Sequence, residues 1–309
     1  VLSFGSPSDV PLDKPLKDLG LDSLTAVELG NALSNRTGAN IPATLALNHP
    51  TAAAIATYLL ANVMGASARV ESSSSVTAYC EQLNVVNQLE ARLFCFHGAG
   101  GSTVMFGPLA ELGGSGVEIH GISHARSETP SSHGSERYLQ QAVSYVASLS
   151  SQPYALLGHS LGCLFAWRVL QELAARGHRL PKVFFPSSLG LDALDHLHRS
   201  PVDFSAVAVM AAGKFAETEH LKVACAADVT LARALCKPER QTLAVPVRIS
   251  ALLAREDPFV NEQAVRTWAG ATTSEFSLTV LPGGHSYLVD EGSRPLLLDV
   301  LRRDLLFRE

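Results

Sequence analysis

The chain has 309 residues, a formal net charge of −5, 47% hydrophobic and 17% charged residues. That apolar fraction supplies a sizeable core at a length beyond one usual domain, which excludes a disordered or coiled-coil chain. No run of Lys and Arg gives a basic footprint, so nucleic acid is not an expected partner, and no apolar run reaches the roughly 18 residues of a membrane span.

The chain opens without Met or a basic leader and is expected to be an intracellular, cytoplasmic piece excised from something longer. From Ser23 to Ser34, Leu24, Val27, Leu29 and Leu33 recur close to helical spacing, and Thr37-Gly38 is the stop. A second helix is expected from about Thr51 to Val63, behind Pro50. Together they make a small all-α unit over residues 1–63. Gly65 to Glu71, running into Ser72 to Ser75, cannot bury a face and reads as a flexible tether over 64–79.

From residue 80 to 309 short apolar runs alternate with longer periodic segments. The runs are Leu93 to Phe96, Val117 to Ile122, Tyr154 to Leu157, Val183 to Phe185, Val247 to Leu253 and Phe276 to Leu281; the helical stretches include Glu136 to Ser150, Leu161 to Arg176 and Glu262 to Trp268. This alternation predicts an α/β fold with a mostly parallel sheet and helices on both faces. Between about 190 and 243 the pattern is Ala-rich and helical with no strand, which predicts an inserted cap with few strong contacts to the sheet domain. Five widely spaced cysteines with no C-x-x-C pair indicate neither a disulfide framework nor a thiolate metal site.

Gly158-His159-Ser160-Leu161-Gly162 is a G-x-S-x-G lying between an apolar run and a helical pattern. A tight turn there relieves crowding with its glycines, pushes the Ser160 hydroxyl out at the sheet's carboxyl edge and aims a helix N-terminus at it. The bland reading is an ordinary Gly-rich turn. A serine nucleophile needs a base, and His285, after Phe276 to Leu281 and Pro282-Gly283-Gly284, is the histidine that follows Ser160 just past a strand. His159 is adjacent in sequence but points elsewhere, and His97 precedes the serine. For the acid, Val247 to Leu253 leads into Asp257 on a turn, preferred over Asp192, with Glu256 as the fallback; an Asp before Pro is also a common turn initiator. An oxyanion hole needs two inward N–H groups, one from Leu161 and one from the loop Phe96-His97-Gly98-Ala99-Gly100-Gly101. That loop lacks the Gly-Lys-Ser/Thr ending of a phosphate-cradling P-loop.

These motifs, with Gly283-Gly284-His285-Ser286-Tyr287-Leu288, resemble in their order the thioesterase branch of the α/β-hydrolases, which cut acyl chains from polyketide, fatty-acid and nonribosomal peptide synthases. The likeness runs from about Leu93 to the C-terminus. An acid after the later strand resembles the type II, editing-like subgroup; synthase-terminal relatives more often carry it one strand earlier, where this chain has Pro186-Ser187-Ser188. The resemblance implies a helical lid at 190–243 over an acyl channel, and Ala99 as the loop's oxyanion donor. Leu19-Gly20-Leu21-Asp22-Ser23-Leu24 followed by Ala26-Val27-Glu28-Leu29 resembles the attachment motif of acyl carrier domains, closest to polyketide and fatty-acid carriers. It implies covalent 4'-phosphopantetheine on Ser23, although Asp22 and Ser23 also read as ordinary N-cap residues. Val1-Leu2 would be only the end of that family's first helix, so the carrier is expected to be truncated.

The reading is a carrier–thioesterase didomain acting on an acyl thioester beside other domains of a multidomain synthase, with neither nucleic acid nor membrane as partner. Ser160, His285 and Asp257 are its expected triad. Two rivals stand beside it: an esterase or lipase of the same fold, which does not need Ser23, and an inactive carrier and docking module.

Overall fold

A computed structural model describes residues 10–12, 14–21, 25–26, 29–30, 32–33, 45–59, 78–124, 132–193, 197, 219–236 and 244–306. The chain divides into two compact units, Val1–Ser73 and Ser74–Glu309. Among the described residues, no helix is long and apolar enough to cross a membrane.

In the first unit a 3-10 turn, Leu16–Leu19, is closed by Gly20 in the left-handed region (φ 93°). Helices α1 (Leu45–Asn48) and α2 (Ala52–Leu59) follow, the second capped by Thr51, whose hydroxyl accepts the Ala54 N–H at 3.1 Å. Leu16, Leu21, Leu45 and Ile55 bury a small core, and Leu29 and Leu33 of the expected first helix pack on it. Leu24, Val27 and residues 60–63 lie outside the described residues.

The second unit is a seven-stranded sheet in the order β1-β3-β2-β4-β5-β6-β7. The strands are β1 (Ala78–Gln82), β2 (Ala91–Phe96), β3 (Val117–His124), β4 (Tyr154–His159), β5 (Val183–Ser187), β6 (Arg248–Ala254) and β7 (Phe276–Leu281). All neighbours pair in parallel except β1, which runs antiparallel along β3. β1 was not among the expected strands, and its first residues fall inside the stretch read as tether. Ala-Tyr-Cys-Glu-Gln is too polar to signal a core strand, and as an edge strand with one neighbour it need not be one.

β4 is buried at every position, as a central parallel strand flanked by helices on both faces should be. The period of two sorts its neighbour β2, with Phe94 and Phe96 entering one core and Leu93 and Cys95 the other. The first core is closed by α3 (Ser132–Ser148), α4 (Gly162–Ala175) and α5 (Glu219–Leu235). The second is closed by a 3-10 segment, Thr103–Ser115, and by α7 (Arg294–Leu306). The helix expected over Glu262 to Trp268 is instead α6 (Glu262–Arg266) passing into a 3-10 turn, Thr267–Ala271.

The insertion departs from expectation in its attachment. Within α5, the described helix of that stretch, Cys225, Val229, Leu231, Ala232 and Leu235 are buried, the last four in the same core as β2 and β4. This helix is part of the packed body.

Candidate active site

Parallel pairing places the carboxyl ends of the strands along one edge: Phe96 pairs with Gly158, His159 with Ser187, and Ala254 with Leu281. The loops after β2, β4, β6 and β7 therefore meet there, and they carry Ala99, Ser160, Asp257 and His285.

Ser160 has φ 52°, a left-handed backbone that an L-residue adopts only under constraint. The constraint is visible: its N–H donates to the Ser187 carbonyl at 2.8 Å, and its carbonyl accepts the Cys163 N–H at 2.9 Å as α4 begins. Gly162 has no alternative residue, since a Cβ there would collide with the Phe96 carbonyl oxygen. Leu161, at the start of α4, is buried. From the other side the β2 loop closes over Ser160, and a Cβ on Gly98 would lie 3.1 Å from Ser160 Cβ and 3.7 Å from its Oγ. The turn holding Ala99 is tied at both following amides: Gly101 N–H donates to Gly98 O at 3.0 Å, and Gly100 N–H to Asp228 Oδ2 at 2.8 Å.

His285 Nδ1 lies 2.8 Å from Asp257 Oδ2. Asp257 Oδ1 accepts the Phe259 N–H at 3.0 Å, and the Glu256 N–H donates to Gly283 O at 3.0 Å, so the two loops are stitched together beneath the pair. Burial pushes the Asp257 carboxyl up, but the hydrogen bond and charge of His285, then the Phe259 N–H, more than offset it and hold it below the usual carboxylate range. The imidazole is only 8% exposed and faces a pocket of about 540 Å³ lined by Pro258, Phe259, Gly284, Tyr287 and Val289. Asp192 is elsewhere, its backbone N–H directed at Thr267 Oγ1. Glu256 is exposed and takes no part in the pair.

His159 is fully committed underneath. Its Nδ1 lies 2.8 Å from Ser187 Oγ, which is 2.6 Å from the Tyr287 hydroxyl, and burial, then His285 with Asp257 opposing, pushes its pKa down to about 3. His97 Nδ1 lies 2.8 Å from Gly98 O, so its ring braces the β2 loop.

Sequence reasoning missed two groups. Ser188, just past β5 where an acid was sought, has φ 53°, and its N–H donates to Leu252 O at 2.9 Å. Asp228, on α5, pairs through Oδ1 with His124 Nε2 at 2.8 Å. Its signal was present: 225, 228, 229 and 232 form one helical stripe, and an aspartate on a stripe of Cys, Val and Ala needs a buried partner. Ser23 lies outside the described residues.

Residues 2–59 match the family model of the phosphopantetheine attachment site, and residues 91–188 that of the thioesterase domain. Among curated proteins, the chain is 26% identical over 221 residues to erythronolide synthase EryA3 of Saccharopolyspora erythraea, an alignment covering 58% of this chain and 7% of that protein. It is 48% identical over 68 residues, 22% of its length and 2% of the relative's, to pikromycin polyketide synthase component PikAII of Streptomyces venezuelae. The chain thus spans a small fraction of these multidomain relatives. Among solved structures, the RedJ thioesterase from the prodiginine pathway of Streptomyces coelicolor aligns with TM-score 0.58 and 24% identity over 72% of this chain and 93% of that one. The type II thioesterase BorB from the borrelidin cluster aligns with TM-score 0.53 and 20% identity over 76% and 98%. The chain therefore carries a phosphopantetheine-attachment domain followed by a thioesterase domain with an α/β-hydrolase fold.

Proposed function

We propose that the thioesterase domain releases or edits acyl chains held as thioesters on a phosphopantetheine carrier, through an acyl-enzyme on Ser160. The observation that carries this reading is the His285–Asp257 pair at 2.8 Å, on loops that share one sheet edge with a strained Ser160. Asp257 accepts the Nδ1 proton, which fixes the tautomer and leaves Nε2 as the base. Nε2 takes the Ser160 proton as Oγ attacks the thioester carbonyl, and the developing oxyanion is held by the N–H groups of Ala99 and Leu161. Ala99 is the donor we assign on the β2 loop because the next two amides, Gly100 and Gly101, are bonded elsewhere. Collapse breaks the C–S bond, and the departing thiol takes the proton from His285. Water, or a hydroxyl or amine of the chain itself, then loses a proton to His285 and attacks the acyl carbonyl, and His285 passes that proton to Oγ as the acyl–Ser160 bond breaks.

The family match implies 4'-phosphopantetheine on Ser23. The described neighbours fit: Leu21 is buried, with its N–H on Leu16 O at 2.9 Å, and Thr25 and Ala26 are helical. When bound, the group supplies a thiol on a flexible arm. In a synthase the other domains would deliver the acyl chain, and the domain's place would be cytoplasmic.

Intact-mass measurement of the protein with a panel of acyl-thioester mimics tests the reading. One acyl group per chain on Ser160, loss of turnover in Ser160→Ala, and preference for thioesters over matched oxygen esters are expected. Turnover that survives Ser160→Ala would sink it, and a preference for oxygen esters would move the domain to the esterases.

A further inference from the structure

We infer that Asp228 is a positioning residue for the oxyanion hole, holding the β2 loop in its working shape from the inserted helix α5. The inference rests on the acyl-serine reading and deepens it. Asp228 is 128 residues from Gly100 in sequence and fully buried, yet each carboxylate oxygen has a partner at 2.8 Å: Oδ2 the Gly100 N–H, Oδ1 His124 Nε2. A buried carboxylate is tolerated only when its lone pairs are engaged, so this arrangement is stable only with both partners present.

Its consequence for chemistry follows from the turn. Gly100 stands at φ 71°, and the turn over 98–101 is closed by its own Gly101–Gly98 bond. Asp228 fixes the remaining amide, which orients the peptide units on either side of Ala99. Without that acceptor the loop has two neighbouring amides that can turn toward a reacting oxygen, and neither is preorganised, which is the property that makes such donors effective. His124 has a second part. A negative group one residue from an oxyanion donor would oppose charge development, and His124 draws Oδ1 away. Its ring is fixed by stacking on His97 at 5.6 Å and by edge contacts with Tyr138 and Phe165 at 5.5 and 5.4 Å.

Three substitutions separate positioning from simple charge pairing, assayed on the full chain with an acyl thioester. Asp228→Ala should lower kcat by about 10- to 100-fold, less than the 10²–10³ for deleting a donor, with KM nearly unchanged. Its affinity for an acyl boronate, which forms a tetrahedral anion on Ser160, should fall in the same ratio, while a thioether mimic binds as before. Asp228→Asn keeps an acceptor for Gly100 and should stay near wild type; Asp228→Glu keeps the charge but displaces it and should be impaired. Wild-type kcat in Asp228→Ala, or Glu above Asn, overturns the proposal. If Asp228→Ala does not fold, the order of Asn and Glu decides alone. Ser160→Ala is run in parallel: activity there removes the acyl-serine reading itself, whereas its loss beside an active Asp228→Ala removes only the positioning role.

Discussion

Two histidine–aspartate pairs occur in the thioesterase domain with the same 2.8 Å separation, and they are built for different tasks. His285 faces a pocket and belongs to a loop after β7, so its second nitrogen can exchange a proton with whatever enters. His124 ends β3 inside a cage of rings, its Nε2 spent on Asp228, whose other oxygen is spent on backbone. The chemistry of a pair is set by where its remaining lone pair or proton can go. One pair lines a pocket and the other is closed on the protein, which suits the first to proton transfer and the second to holding a loop.

The comparison breaks most visibly at the open pair. Asp257→Asn should leave the fold intact and lower turnover by about 10⁴-fold, because the imidazole loses its tautomer and its ion partner. Asp192→Asn should leave turnover close to wild type. Steady-state kinetics of both variants would reverse the assignment of the acid if Asp192→Asn were the more damaging change.

At the closed pair the expected damage is to stability. His124→Ala strands a buried carboxylate and should cost about 3–5 kcal/mol in urea unfolding, whereas His285→Ala, which opens Asp257 to the pocket that His285 lines, should cost less while abolishing turnover. Equal losses of stability in the two variants would erase the distinction between them.

A third histidine sharpens the contrast as a slope in pH rather than as a single loss. His159 is held neutral down to about pH 3 in the folded state, while in the unfolded chain it takes a proton near pH 6.5. Between those values the unfolded state binds the extra proton, so stability rises with pH across the window and is lost on acidification, by up to about 1.4 kcal/mol per unit. The depressed carboxyl of Asp257 acts in the same direction at lower pH, its contribution being full above its unfolded pKa and lost as pH falls through the folded one. His159→Asn, which keeps a polar atom toward Ser187, should flatten the upper part of that slope. An unchanged slope in urea titrations from pH 4 to pH 7 would show that His159 is not the group responsible.

The parallel strands, and the placing of Ser160, Asp257 and His285 past their ends, were legible because parallel core strands are short unbroken apolar runs and the candidate site lies just beyond them. β1 was not, since an antiparallel edge strand with Tyr79, Glu81 and Gln82 carries neither an apolar run nor clean alternation. The attachment of α5 was hidden by composition: Ala and Cys look weakly hydrophobic one at a time, yet Cys225 and Ala232 are buried. Asp228 was legible as an oddity, but its partners are 104 and 128 residues away, and no local pattern carries that distance. Glu256, a carboxylate adjacent to Asp257, could be demoted only by seeing which oxygen meets His285.

The parallel order of the sheet also bears on when the domain becomes reactive. The groups proposed to act come from the ends of β2, β4, β6 and β7, and β7 pairs only with β6 at the far edge. β6 in turn pairs with β5 across the insertion, Val183 opposite Arg248, and pairings so distant in sequence form slowly, after the costly closure of long loops. On the proposed mechanism, a nascent chain that has made the Ser160 turn lacks its base until β6 and β7 have docked, so competence for thioester turnover waits on the completed sheet.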